Sequence, residues 1–256
     1  MSHLADFPRL PHAVARRPLL SLDGVQRIYP ASPPVKALRE ATFDVLDGEV
    51  VAIVGRSGSG KSTLLNVLGL LDVPTGGEYR VGGCPVSGLS DRDQTLLRSR
   101  FFGFVFQQSF LLPNLSAQEN VELGLRPRGV PAAERRRRSI DALARVGLSH
   151  RRRFLPARMS GGECQRVAIA RAIAQEPRVL LCDEPTGNLD EGTSAELLQT
   201  LLGTDRGGAA VIMVTHDMGI AQSLPRTLSV RDGIVSEGDG RLLGSESPVK
   251  TSPTTP

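Results

Sequence analysis
A chain of 256 residues, 40% hydrophobic and 23% charged, can bury a sizeable core in one large or two small domains. Its net charge of +4 is written almost wholly in arginine: of 31 basic side chains only Lys36, Lys61 and Lys250 are lysines, which reads as a GC-rich code rather than a nucleic-acid signature. No run reaches the roughly 18–20 apolar residues of a membrane span, and the first twenty residues show no signal peptide. The three cysteines (Cys84, Cys164, Cys182) are odd in number, lack metal-ligand spacing and read as reduced thiols of a cytosolic protein.

Residues 1–18 mix Pro, His and Arg without periodicity, and residues 241–256 are rich in Ser, Thr and Pro. Both ends are expected to be disordered. Between them, over residues 19–240, strand and helix signals alternate without an internal repeat, which predicts an α/β domain with a parallel sheet. "GEVVAIVG" (Gly48 to Gly55) has the Val and Ile content of a short buried strand. "GRSGSGKS" then satisfies G-x-x-x-x-G-K-[ST], and a helix is expected from Ser62, carrying Leu64, Leu65, Val67 and Leu68.

That spacing has a definite chemistry. The glycines let backbone N–H groups curl around phosphate oxygens. The helix N-terminus adds positive potential. Gly55, Arg56, Ser57, Gly58, Ser59, Gly60, Lys61, Ser62 and Thr63 therefore form a candidate nucleotide cradle, with Lys61 on the β- and γ-phosphates and Ser62 on Mg²⁺.

Further along, residues 126–158 hold eleven arginines against two acids, Glu134 and Asp141. Ile140, Leu143, Val146 and Leu148 predict one apolar helix face, leaving Arg135–Arg138 largely outside. "RMSGGECQRVAIARAI" (Arg158 to Ile173) opens a second helix with Ser-Gly-Gly, which offers a second anion site or an ordinary cap by Ser160. "EPRVLLCDEPTGNLD" (Glu176 to Asp190) has an apolar strand, Val179 to Cys182, ending in two carboxylates. Asp183 is placed to hold Mg²⁺ and Glu184 to act as general base on water.

With these motifs in order, residues 19–240 resemble the ATP-binding subunits of ABC transporters. The resemblance implies an α/β P-loop NTPase (RecA-like) core, an N-terminal antiparallel β subdomain and an inserted helical subdomain at about 111–165. It implies that Tyr29 in "GVQRIYP" stacks on adenine, and that Gln107 in "FGFVFQQ" touches Mg²⁺ and senses the membrane partner. It also implies that Ser160, Gly161, Gly162 and Glu163 ("MSGGE" with Met159) form the signature that binds ATP in trans. Asp190 of "GNLD" is then the acid of the dimer loop, and His216 in "VIMVTHDMG" holds the γ-phosphate. Glu184, His216 and Gln107 are thereby the catalytic candidates, and Ser62, Gln107 and Asp183 the metal candidates.

"DEPTGNLD" and "A-x-ENVEL" further resemble the branch of lipoprotein-releasing, macrolide-exporting and cell-division ATPases. The expected cofactors are ATP and Mg²⁺. The expected partners are a second copy of the chain and separate transmembrane permease subunits, which place the ATPase on the cytoplasmic face of the inner membrane. Arg135–Arg138 are either a contact for anionic lipid or acidic partner loops, or a solvated face, the reading placed first. No nucleic acid is expected. An importer ATPase and a soluble ABC protein acting on DNA or ribosomes are the alternatives. Cys164 departs from the branch, where glutamine is usual, and Cys182 and Met159 are milder departures.

Overall fold
The computed structural model describes residues 18–187, 189, 191–203 and 208–238. The disorder expected of residues 1–18 and 241–256 therefore falls outside the described residues, Pro18 apart. Among the described residues ten strands form one sheet in the order β5-β4-β1-β2-β10-β9-β3-β8-β7-β6. They are β1 (Leu20–Tyr29), β2 (Val35–Val45), β3 (Val50–Val54), β4 (Gly76–Val81), β5 (Cys84–Pro85), β6 (Phe102–Val105), β7 (Val179–Asp183), β8 (Ala210–Val214), β9 (Arg226–Arg231) and β10 (Ile234–Glu237).

One half of the sheet is parallel. β3 pairs with β9 and β8, β8 with β7, and β7 with β6, in registers such as Ile53↔Leu228, Val51↔Ile212 and Phe104↔Leu181. The other half is antiparallel at its N-terminal strands, with β1 between β2 and β4. This is the P-loop NTPase arrangement expected, with antiparallel N-terminal strands beside the parallel core. The composition of the strands explains the division. "VVAIV", "AVIMV" and the "VLLC" of β7 are continuous apolar runs, which suit strands covered on both faces. β2 instead alternates buried and exposed residues over its second half, as a strand covered on one face does.

Successive residues of β3 point to opposite faces. Val51 and Ile53 enter a core with Leu64, Leu65 and Leu68 of α1 (Lys61–Leu68). Ala52 and Val54 enter a second core with α3 (Ala117–Leu125), α4 (Ala132–Arg145), α5 (Gly161–Ile173) and Leu197 of α6 (Glu191–Gly203). Two further helices, α2 (Asp91–Phe101) and α7 (Met218–Ser223), complete the described α-helices. None of the helices among the described residues is long and apolar enough to cross a membrane.

Two local expectations need correction. α1 begins at Lys61, one residue before Ser62, because Gly60 takes φ +110° and serves as the N-cap. The arginines of α4 do not all stand outside. Leu143, Val146 and Leu148 are buried as expected, but Arg135 is half-buried and donates to the Val130 carbonyl at 2.7 Å. Arg138 spans Glu134 at 2.7 Å and Glu176 at 3.2 Å, and the exposed Arg137 pairs with Glu134 and Asp141. Neighbouring acids and a carbonyl thus engage three of the four, and little unpaired charge is left for a lipid surface.

Candidate functional site
The candidate residues gather where the parallel strands end, the edge on which such sheets bind ligands. β3 delivers the loop from Gly55 to Gly60 and then α1. The loop has no room to spare. A Cβ on Gly55 would lie 2.3 Å from the Val230 carbonyl oxygen, and one on Gly60 2.4 Å from the Ala37 oxygen. Gly58 and Gly60 both adopt positive φ, +75° and +110°. Such backbone turns successive N–H groups towards one concavity.

Lys61 folds back over this loop and donates from Nζ to the Gly55 and Arg56 carbonyls at 2.9 and 3.0 Å. Ser59 is only 8% exposed, yet its Oγ is a buried hydroxyl without a hydrogen-bond partner. A phosphate oxygen would satisfy it. Two hollows flank the loop, of about 620 and 520 Å³. The first runs from Gly55 to His216 and Val230, and the second takes in Lys61, Ser62, Thr63 and Lys36.

β7 and β8 bring the candidate acid–base groups in. Their register pairs Asp183 with Val214, so Asp183 and Glu184 arrive level with the segment leading to His216. Burial, reinforced by the neighbouring Glu184, pushes the Asp183 carboxyl above its usual range, and Lys61 draws it the other way. Lys61 and Asp183 therefore sense one another, as a phosphate-binding cation and a metal-binding acid would. Glu184 takes φ +47°, rare for a non-glycine residue, and its N–H donates to the Val214 carbonyl at 3.0 Å. That turn directs its carboxylate to His216, with Oε2 at 2.6 Å from Nδ1. The Glu184 side chain is 17% exposed and that of His216 70%.

The residues fit Mg²⁺ as well as phosphate. Among the described residues no group of three His, Cys, Asp or Glu side chains forms a self-contained metal cage. A Mg²⁺ shared with phosphates needs only a carboxylate such as Asp183 and a hydroxyl such as Ser62.

Gln107 follows β6 and reaches the same region. Its amide nitrogen lies 2.9 Å from where a Cβ on Gly187 would stand, three residues after Glu184. Tyr29 is not brought to the loop. It ends β1, lines neither hollow, and donates from its hydroxyl to Asp72 at 2.5 Å, while the Arg27 guanidinium covers its ring at 4.4 Å. Asp190 lies outside the described residues.

Ser160 to Glu163 form a separate cluster that lines neither hollow. Ser160 caps α5: its Oγ accepts from the Glu163 N–H at 3.1 Å, and the Glu163 carboxylate accepts from the Ser160 N–H at 2.8 Å. Gly161 faces open space, but a Cβ on Gly162 would meet Thr193 of α6 at 2.8 Å, so packing requires the second glycine. Cys164 reaches the Pro156 carbonyl, with Sγ at 3.7 Å.

The Ser160 N–H, and to a lesser degree Arg151, hold the Glu163 carboxyl below the ordinary 4.5 of a free glutamate. A depressed carboxylate contributes stability that is complete above its unfolded pKa and is lost as pH falls through the folded one. Glu163→Ala is expected to cost about 1 kcal/mol at neutral pH. The gap from wild type should close as pH drops below about 4.5, which urea unfolding at pH 7 and pH 3.5 measures.

Two residues of this region are less evident from the sequence. Gln165 is a buried amide that shares a face of α5 with Gly162 and Ile169, and it donates to the Phe106 carbonyl at 2.8 Å. Arg171, one turn beyond Val167, donates to the Ser109 and Phe110 carbonyls at 2.7 and 2.9 Å. An amide on an apolar helix face was the available signal for Gln165.

Comparison with known proteins bears on this site. The family model for ABC transporters matches residues 38–187. The chain is 44% identical over 238 residues to the macrolide export ATP-binding/permease protein MacB of Photorhabdus laumondii, covering 91% of this chain but 37% of that protein. It is 46% identical over 222 residues to the pyoverdine export ATP-binding/permease protein PvdT of Pseudomonas syringae, covering 86% and 34%. The chain thus spans about a third of the length of these relatives. Among solved structures, the ATP-binding cassette MJ0796, in a dimeric post-hydrolysis state bound to ADP and Pi, superposes with a TM-score of 0.79 at 38% identity, covering 87% of this chain and 99% of that one.

Proposed function
As the chain belongs to the ABC transporter family, of which it is an ATPase domain with ATP and Mg²⁺ as cofactors, we propose that two copies clamp two Mg·ATP and so drive a transmembrane partner that exports a small molecule or releases lipoprotein. The observation that carries this is the separation of the two anion sites. The Gly55–Thr63 cradle and the Ser160 helix start share no hollow within one chain, and a single ATP held by the cradle leaves the second site unused. A second copy, related by two-fold symmetry, brings them together. The dimeric state named for the solved cassette and the export named for the relatives support the same reading.

In this mechanism the loop amides and Lys61 bind the phosphates, and Ser62, Asp183 and Gln107 hold the metal. Mg²⁺, when bound, neutralises phosphate charge. Glu184 accepts the proton of the attacking water, and His216 orients Glu184 and contacts the γ-phosphate. Ser160–Glu163 of the other copy close the site, so that hydrolysis loosens the clamp. The chain then acts at the cytoplasmic face of the inner membrane, held there by its partner. The Arg135–Arg138 stretch plays a minor part in that attachment, since the exposed Arg136 alone lacks an ion pair or carbonyl partner among the described residues.

A tagged Glu184→Gln chain, recovered with ATP from detergent-solubilised native membranes, tests the partnership by mass spectrometry. A companion with few spans and a large extracytoplasmic domain is the expected result. A many-spanning permease with a solute-binding protein would move the chain to an importer, and no membrane protein at all would overturn the proposal.

A further inference from the structure
The loop that carries Gln107 is tied to α5 by side chains. β6 ends at Val105, and three carbonyls of the segment beyond it, those of Phe106, Ser109 and Phe110, accept hydrogen bonds from Gln165 and Arg171. Gln165 is 4% exposed, so its amide has no water to turn to and its bond fixes Phe106, the residue next to Gln107. Arg171 makes no ion pair among the described residues, and its guanidinium is spent on two adjacent carbonyls. Burial without a counter-charge depresses its pKa, a cost that only well-formed hydrogen bonds offset. The held loop is itself under tension: Phe110 takes φ +44° and is 61% exposed.

At its other end α5 carries Ser160 and the Glu163 cap. One helix of 13 residues therefore holds both the seat of Gln107 and the start of the signature. We propose that Gln165 and Arg171 are positioning residues that lock the Gln107 loop to the signature helix, so that Gln107 in one ATP site moves as one body with the Ser160 presented to the other. This rests on the reading above, in which Gln107 faces the chain's own nucleotide and Ser160 the partner copy's. The two sites of a dimer then communicate through α5, with the hydrogen bonds to the loop carbonyls as the link.

The test compares the full chain with Gln165→Met, which keeps the volume and removes the donor, and with Arg171→Met as an independent cut of the same link. Amide exchange at residues 106–110 is expected to quicken in both, since the loop loses its anchors. With Mg·ATP, Gln165→Met should lower kcat about tenfold with KM for ATP changed less than about twofold, because the cradle is untouched. Combined with Gln107→Ala, its effect should largely vanish, since it acts through that residue. Unchanged exchange in both variants overturns the proposal, as does a loss in kcat that multiplies fully with that of Gln107→Ala. A wild-type chain that turns over no ATP, or a Gln107→Ala chain with full activity, overturns the functional reading instead, and the exchange result then decides the loop anchor alone.

Discussion

The Glu184→Gln chain is expected to turn over ATP about 10²–10⁴-fold more slowly than wild type, the range a positioned general base supplies, while binding ATP as well or better. Glu184 stands one residue beyond the metal candidate Asp183, and its left-handed backbone sends the carboxylate to His216 rather than along the strand. Holding a glutamate at φ +47° costs on the order of 1–3 kcal/mol, which the β7–β8 register and the bond from its N–H to Val214 sustain. Glutamine has the same shape and loses the proton-accepting oxygen, so the fold and the cradle are left alone. Phosphate release, ATP binding and the mass of the ATP-bound species in solution measure the three consequences. Slow turnover, retained binding and a trapped dimer agree with the assignment. Turnover within about tenfold of wild type would mean that another group activates water.

The second large effect lies in the cradle. Gly60→Ala is expected to abolish detectable ATP binding and to cost about 3 kcal/mol or more of stability. Its Cβ would stand 2.4 Å from the Ala37 carbonyl oxygen, a backbone atom that cannot swing aside, and the φ of +110° is hostile to any L side chain. Relief requires either β2 to withdraw or the N-cap of α1 to refold; the first opens the packing behind the loop and the second displaces Lys61 and Ser62 from the cradle. Gly58→Ala is the control. It sits at φ +75° with nothing within 4 Å, so only the conformational cost of about 1–2 kcal/mol applies. Urea unfolding with and without nucleotide separates the two variants. Equal losses would show that the approach to Ala37 yields more easily than a fixed backbone should.

The candidate cradle and the adjacent Asp183 and Glu184 were legible in the sequence alone, and the reason is local. A phosphate nest needs glycines at set intervals, a lysine and a hydroxyl within a few residues, and the strand and helix on either side are legible by period. Adjacent carboxylates at the end of an apolar strand are likewise a short-range pattern. The parallel half of the sheet followed from continuous apolar runs, and a cap on α5 from Ser160, whereas the part of Glu163 in that cap came from the structure.

What only the tertiary structure decided are the contacts between residues far apart in the chain. Tyr29 bonds Asp72, Arg138 reaches Glu176, Gly162 abuts Thr193, and Gln165 and Arg171 fasten a loop some sixty residues earlier. A run of four arginines is identical in the sequence whether they face water or a neighbouring carbonyl, and only packing separates Arg135 from Arg136. Spacing encodes what one turn or one strand can bring together. Which polar side chains satisfy distant carbonyls is set by how the helices come to rest on the sheet, and for α5 that decides how Gln107 is held.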